Sequence, residues 1–181
     1  MARDEHRQEI LNRLPKGGVG AEIGVWEGGF SEKLLEIAQP RILHLIDPWE
    51  YQPDYANTAF GKPRNEARMD DKYLVVQEKF KNDDRVILHR SYSHEALEQF
   101  GDGTLDWVYI DGNHNFDVVS RDLELSLAKV RPGGVIAGDD LLWKREDGAP
   151  VQKAVRGLKR QLGDAATYTR FGQQYLFQLA A

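Results

Sequence analysis

The chain has 181 residues, 41% hydrophobic and 10% aromatic, with a formal net charge of −5 and no cysteine. This is one ordinary domain with a core of its own, expected over 1–181, and it excludes disulfides, thiolate metal sites and cysteine nucleophiles. The 24 Lys and Arg are scattered without a basic block, which argues against nucleic acid as a partner, and no apolar run nears the roughly 20 residues of a membrane span. With the charged start MARDEHRQEI in place of a signal peptide, a cytoplasmic protein is expected.

In chain order, Asp4 to Leu14 predict a short helix with Ile10, Leu11 and Leu14 on one side, ended by Pro15. After the turn Lys16-Gly17-Gly18 comes VGAEIGVWEGGFSEKLLEIA. It reads as a strand from Val19 to Val25, a loop holding Gly24 and Gly28, and a helix with Leu34, Leu35 and Ala38 inward and Ser31 as N-cap. Such a loop either lets a ligand approach the backbone and the helix N–H groups, or is only a tight turn. Its Gly-x-x-x-Gly-Gly order lacks the dinucleotide fingerprint G-x-G-x-x-G, which counts against a nicotinamide dehydrogenase. The second strand, Ile42 to Ile46, ends on Asp47. An acid roughly 20 residues beyond a glycine loop can accept from both hydroxyls of a ribose; before Pro48 it is also a candidate turn acid.

From Pro48 to Asp71 there are three prolines, four aromatics and no sustained period, a length and composition typical of a lid or binding loop. Trp49, Tyr51, Tyr55 and Phe60 either line a pocket or pack this loop onto the domain. Tyr73, Val76 and Phe80 predict a helix, followed by a strand from Arg85 to His89, the segment Arg90-Ser91-Tyr92-Ser93, and a helix from His94 to Phe100.

The stretch Leu105 to Asp140 reads as strand, helix, strand. The run Trp107 to Ile110 ends on Asp111, and Val135 to Ala137 ends on Asp139-Asp140. Between them Val119, Leu123, Leu127 and Val130 recur every three to four residues. A right-handed crossover brings both strand ends to one edge of a parallel sheet and gathers the three acids there. Unit charges 4 Å apart repel by about 1 kcal/mol in water and about 4 kcal/mol at an effective dielectric near 20. Either a hard divalent ion such as Mg²⁺ relieves this, or one Asp caps a helix and another is solvated. Val151, Val155, Leu158 and Leu162 form a last amphipathic helix before Gly163, and Tyr168–Phe171 and Tyr175–Leu179 a closing hairpin through Gly172-Gln173. The expected fold is an α/β three-layer sandwich whose doubly wound, mostly parallel, Rossmann-like sheet carries a C-terminal antiparallel hairpin.

Taken in this order, AEIGVWEGGFS, LIDPW, DWVYIDGNHNFDVVSRDL and PGGVIAGDD resemble the motifs of class I S-adenosylmethionine-dependent methyltransferases. The nearest resemblance is to small metal-dependent O-methyltransferases typified by macrocin O-methyltransferase and, more distantly, catechol O-methyltransferase. The resemblance implies that Glu22 and Gly24 shape the methionine end of the cofactor site, with Trp26 and Gly28 in the same loop. Asp47 would hold the ribose beside Trp49, Ser91 and Tyr92 would meet the adenine, and Asp111 would border the cofactor. Asp111, Asp139 and Asp140 would ligate Mg²⁺, and His114 would be the base, Asp111 and His114 being the catalytic pair.

Departures are the missing Gly-x-Gly of the first motif and Phe116 where a Tyr is common. The implied acceptor is a small diol, sugar or catechol-type hydroxyl, with Tyr51, Tyr55 and Trp143 as its contacts. His44 and His89, within strands, and His94, at a helix start, read as structural. Alternatives are a metal-independent methyltransferase or an aminopropyl transferase on the same fold, and a non-catalytic binder of S-adenosylmethionine. A homodimer closing its site with a neighbour's surface is a further expectation.

Overall fold

The computed structural model describes residues 3–56, 58–144 and 148–181; Asn57, inside the Pro48–Asp71 stretch, lies outside them. The elements in chain order are α1 (Arg3–Leu11), β1 (Val19–Ile23), α2 (Gly29–Lys33) widening into a π turn (Leu34–Ala38), β2 (Ile42–Asp47), and two 3-10 turns (Pro53–Tyr55 and Pro63–Arg68). Then follow α3 (Met69–Phe80), β3 (Val86–Arg90), α4 (Ser93–Glu98), β4 (Leu105–Ile110), α5 (Phe116–Lys129), β5 (Val130–Gly138), α6 (Pro150–Leu162), β6 (Ala166–Phe171) and β7 (Gln174–Leu179).

Among the described residues the strands form one seven-stranded sheet in the order β3-β2-β1-β4-β5-β7-β6. The first five are parallel, and β7 runs antiparallel to both β5 and β6. Alternation along β4 divides the core: Val108 and Ile110 face the layer of α4, α5 and α6, while Trp107 and Tyr109 face the layer of α1, α2 and α3. Helices on both faces explain why the central strands read as unbroken apolar runs. The three-layer sandwich with its hairpin is therefore present as expected. No described helix is long and apolar enough to cross a membrane.

Three local expectations are corrected. Ser31 is not an N-cap: the loop closes on Gly28 at φ 72, a left-handed turn that glycine adopts freely, so Ser31 falls inside α2 and is buried. Val130 leaves the helical face and opens β5, because Pro132 disfavours helical geometry at the residue before it and α5 stops at Lys129. The first helix ends at Leu11, with Leu14 buried beyond it. In the irregular stretch, each 3-10 turn opens on a proline, whose fixed φ suits a first helical position.

What positions the site is the carboxyl edge of the sheet. Ile23 pairs with Ile110, and Ile110 with Gly138. Beyond the last pairs the ladder continues: Gly24 N–H donates to Ile46 O (2.9 Å), Asp111 N–H to Ile23 O (2.8 Å) and Asp139 N–H to Ile110 O (3.1 Å). Gly24, Asp111 and Asp139 thus stand abreast at the point where strand order reverses about β1, the place where open α/β sheets bind ligands.

Candidate active site

A cavity of about 1180 Å³ opens over this edge. Its lining includes Glu22, Gly24, Trp26, Asp47, Tyr51, Tyr55, Tyr92, Asp111, His114 and Trp143 of the expected site residues. Gly28, Trp49, Ser91, Asp139 and Asp140 are not lining residues.

Asp47, at the end of β2, organises the glycine loop. Its Oδ2 accepts from the N–H groups of Val25 (2.9 Å) and Trp26 (3.1 Å), and its Oδ1 from that of Trp49 (2.8 Å). Burial pushes its pKa up, against those three bonds. Trp26 and Trp49 both sit at positive φ (58° and 42°), a strained backbone that the Asp47 bonds hold in place. Trp49 is turned inward, 1% exposed, and donates its indole N–H to Trp26 O at 2.8 Å, so it braces the loop from behind. Gly24 (φ 89) leaves no room for a side chain, since a Cβ there would collide with the Asp111 carbonyl. Below it Glu22, 1% exposed, accepts from the Ser31 hydroxyl, and burial pushes its pKa well above the usual carboxylate range.

The loop after β3 closes another wall. Tyr92 donates to Glu50 (2.8 Å) and stacks on His94 with centroids 5.9 Å apart. Ser93 donates to Asp122 Oδ1 at 2.5 Å, and burial pushes the Asp122 carboxyl up to about 7. Ser93, His94 and Asp122 line the cavity where Ser91 does not. Three of the four aromatics in the irregular stretch, Tyr51, Tyr55 and Phe60, also line it. His44 and His89 lie away from it, facing each other across β2 and β3 with ring nitrogens 2.9 Å apart.

The acid edge is built differently. His114 Nε2 lies 2.9 Å from Asp140 Oδ2, off the line of a hydrogen bond, and its ring packs on Trp143 with centroids 4.8 Å apart. Asp111, His114 and Asp140 can each bring one ligand atom within 4.8 Å of the others. Asp139 is 2% exposed and otherwise engaged. Its Oδ2 accepts from Arg3 Nε (3.0 Å), Arg3 Nη2 (2.7 Å), Arg7 Nε (2.9 Å) and Arg7 Nη2 (2.6 Å), and its Oδ1 from the Asp140 N–H (2.7 Å).

Arg7 Nη2 also reaches Asp111 Oδ2 at 2.6 Å, and Arg3 Nη2 reaches Asp140 Oδ1 at 3.2 Å. Burial, with Asp139 and Asp140 adding repulsion, pushes Asp111 up to about 7 despite the pull of Arg7. For Asp139 burial acts upward too, but the Asp140 N–H and the arginines outweigh it and hold the carboxyl below its usual range. Three carboxylates share two guanidiniums, and at Asp111 the Arg7 contact does not offset burial. Arg3 and Arg7 both line the cavity, and neither was foreseen: residues so far from the acids in sequence leave no local signal.

A parallel sheet of this order, with a ligand crevice at the carboxyl ends of β1, β2 and β4, defines a Rossmann-like methyltransferase fold. A family model described as "Methyltransferase domain" matches residues 21–141, and the chain belongs to that family, as a class I S-adenosylmethionine-dependent methyltransferase. Solved structures with this fold include the O-methyltransferase NovP (21% identity, 98% of this chain and 79% of that one, TM-score 0.65). A putative methyltransferase from Streptococcus mutans, SMU.1697c, in complex with SAH, is another (12% identity, 99% and 98%, TM-score 0.67). The N-methyltransferase NodS from Bradyrhizobium japonicum WM9 is a third (15% identity, 98% and 97%, TM-score 0.61). No curated protein sequence matches the chain.

Proposed function

We propose that the chain transfers the methyl group of S-adenosylmethionine to a hydroxyl of a small molecule carrying adjacent hydroxyls, a diol, sugar or catechol, with His114 as the base. The observation that carries this reading is the His114 ring, seated between the Asp140 carboxylate (2.9 Å) and Trp143 (4.8 Å) at the cavity wall. A neutral hydroxyl is a poor nucleophile. As its oxygen bonds to the methyl carbon, the carbon–sulfur bond breaks, its electron pair stays on sulfur, and the hydroxyl proton passes to His114. Asp140 beside the ring stabilises the imidazolium so formed.

The cofactor would run from Glu22, Gly24 and Trp26 at its methionine end, past Asp47 at the ribose, to the wall of Tyr92, Ser93 and His94 at the adenine. Asp47 has about four lone-pair positions and uses three on the loop, which leaves one for a ribose hydroxyl. Tyr51, Tyr55 and Trp143 would contact the acceptor, since aromatic faces suit sugar and phenol rings alike.

Asp111 and Asp140 offer oxygen donors that fit a hard divalent ion, with Asp139 as the further carboxylate that the family resemblance adds, and His114 beside them is kept for the proton. Mg²⁺ bound there would orient two adjacent acceptor oxygens and lower the pKa of one.

Turnover with a catechol or diol probe, read as S-adenosylhomocysteine released, tests the base. His114→Ala is expected to lower kcat by roughly 10²- to 10⁴-fold while calorimetry shows the affinity for S-adenosylmethionine unchanged. An unaltered kcat would remove His114 from the mechanism.

A further inference from the structure

The arginines of α1 are the part of the site that the methyl-transfer reading does not use. Five N–H groups converge on Asp139, four of them from Arg3 and Arg7 on the single oxygen Oδ2. Oδ2 has about two lone-pair positions, so these four contacts fill it, while Oδ1 keeps one position beside the Asp140 N–H. Arg7 spans from Asp139 to Asp111 and Arg3 from Asp139 to Asp140. The two guanidiniums therefore touch each of the three acids whose mutual repulsion a divalent ion would otherwise relieve.

The two solutions compete for oxygens of the same three acids. Three carboxylates against two guanidiniums leave one negative charge; adding a divalent ion with both arginines in place would leave an excess positive charge in a partly buried crevice. At 4 Å and an effective dielectric near 20 an ion of charge two is repelled by each guanidinium by about 8 kcal/mol, which weakens its hold on the three carboxylates without cancelling it.

The helix that carries the arginines is held most firmly at its far end. Ile10 and Leu11, 0% and 1% exposed, pin its far end in the core. The Arg3 side chain is half exposed, and Asp4, beside it, is joined to Lys33 by an exposed pair at 3.2 Å, a kind of contact that stabilises little.

We infer that Arg3 and Arg7 are built-in competitors of a divalent cation for Asp111, Asp139 and Asp140, so that α1 sets the affinity of the site for the ion and loosens when the ion binds. This rests on the divalent site proposed above. In the ion-free state the guanidiniums hold the acid edge to a single net negative charge and keep α1 seated over the cavity; ion binding takes Asp139 and Asp111 away from Arg7 and releases the first turns of the helix.

The test uses Mn²⁺ as probe, with free ion quantified by electron paramagnetic resonance on the whole chain. Arg3→Gln/Arg7→Gln is expected to bind Mn²⁺ at least tenfold more tightly than the wild type, and Arg3→Gln alone to show a smaller gain. Equal affinities, a weaker variant, or no binding in either form would overturn the inference. Because the double variant leaves Asp139 without its partners and can lose its fold, a second readout uses the unmodified chain. At a Mn²⁺ level shown to saturate it, hydrogen exchange at the amides of Arg7 to Glu9 is expected to rise, and unchanged exchange there would overturn the competition. Neither readout passes through methyl transfer. Equal affinities together with His114-dependent turnover would leave the proposed function standing and discard only the role of α1.

Discussion

At the glycine-loop end of the cavity, the Asp47 carboxylate is held by main-chain N–H groups of residues 2, 21 and 22 positions away. At the acid edge, Asp139 is held mainly by guanidiniums 132 and 136 positions away. A carboxylate that ties down backbone fixes a loop conformation, here two tryptophans at positive φ, and cannot let go without unfolding that loop. A carboxylate tied to flexible side chains can exchange one cation for another while the sheet beneath stays as it is. Under the proposed function, the end that presents the cofactor surface is built the first way, and the end that admits the acceptor is built the second.

The largest expected effect comes from breaking the main-chain end. Asp47→Ala strands three N–H groups and removes the proposed ribose acceptor, so calorimetry should show affinity for S-adenosylmethionine falling by about 10- to 100-fold, with stability lower by roughly 2 to 4 kcal/mol in urea unfolding. Affinity within twofold of the wild type would mean that the loop keeps its shape without this acid.

A middle-sized effect separates burial from pairing. Asp122 has one hydroxyl donor and a carboxyl pushed up to about 7 by burial. Its folded pKa lies above its unfolded value near 4, so its stabilising contribution is complete below pH 4 and is lost as pH rises through 7, with a slope of up to about 1.4 kcal/mol per pH unit between. Asp122→Asn, which cannot titrate, should lessen the decline in thermal midpoint from pH 5 to 7; parallel curves for the two proteins would show that burial does not govern this carboxyl.

The smallest effect sharpens the contrast itself. At 1 M NaCl the Debye length is about 3 Å, so the half-exposed Arg3 pairs should weaken and exchange at the amides of Arg7 and Gln8 should rise severalfold, while the Val25 and Trp26 amides, bonded to Asp47, stay protected. Equal responses at both ends would erase the distinction.

The same division decides what could be read from the sequence. Gly24, Asp47 and Asp111 were legible because each lies at the end of an apolar run, where the strand period and the sheet edge dictate its place. The sandwich and its hairpin were legible for the same reason: period 2 and period 3.6 are written locally. Trp49 was expected against the cofactor, yet it points inward, because its positive φ turns the side chain under the loop and the motif carries no trace of that turn. Arg3 and Arg7 were invisible, since an ordinary charged helix start says nothing of acids more than a hundred positions away. The regrouping of His114 with Asp111 and Asp140, while Asp139 turns to the arginines, follows from that unseen helix.

The main-chain bonds that carry the ladder one step beyond the strands, Asp111 N–H to Ile23 O and Asp139 N–H to Ile110 O, have a consequence for how such a domain can evolve. The acids are anchored by atoms that every residue except proline possesses, so their side chains can be exchanged while the platform under them persists. New reactivity can then arise at this edge by single substitutions, on a scaffold that does not have to be reinvented each time.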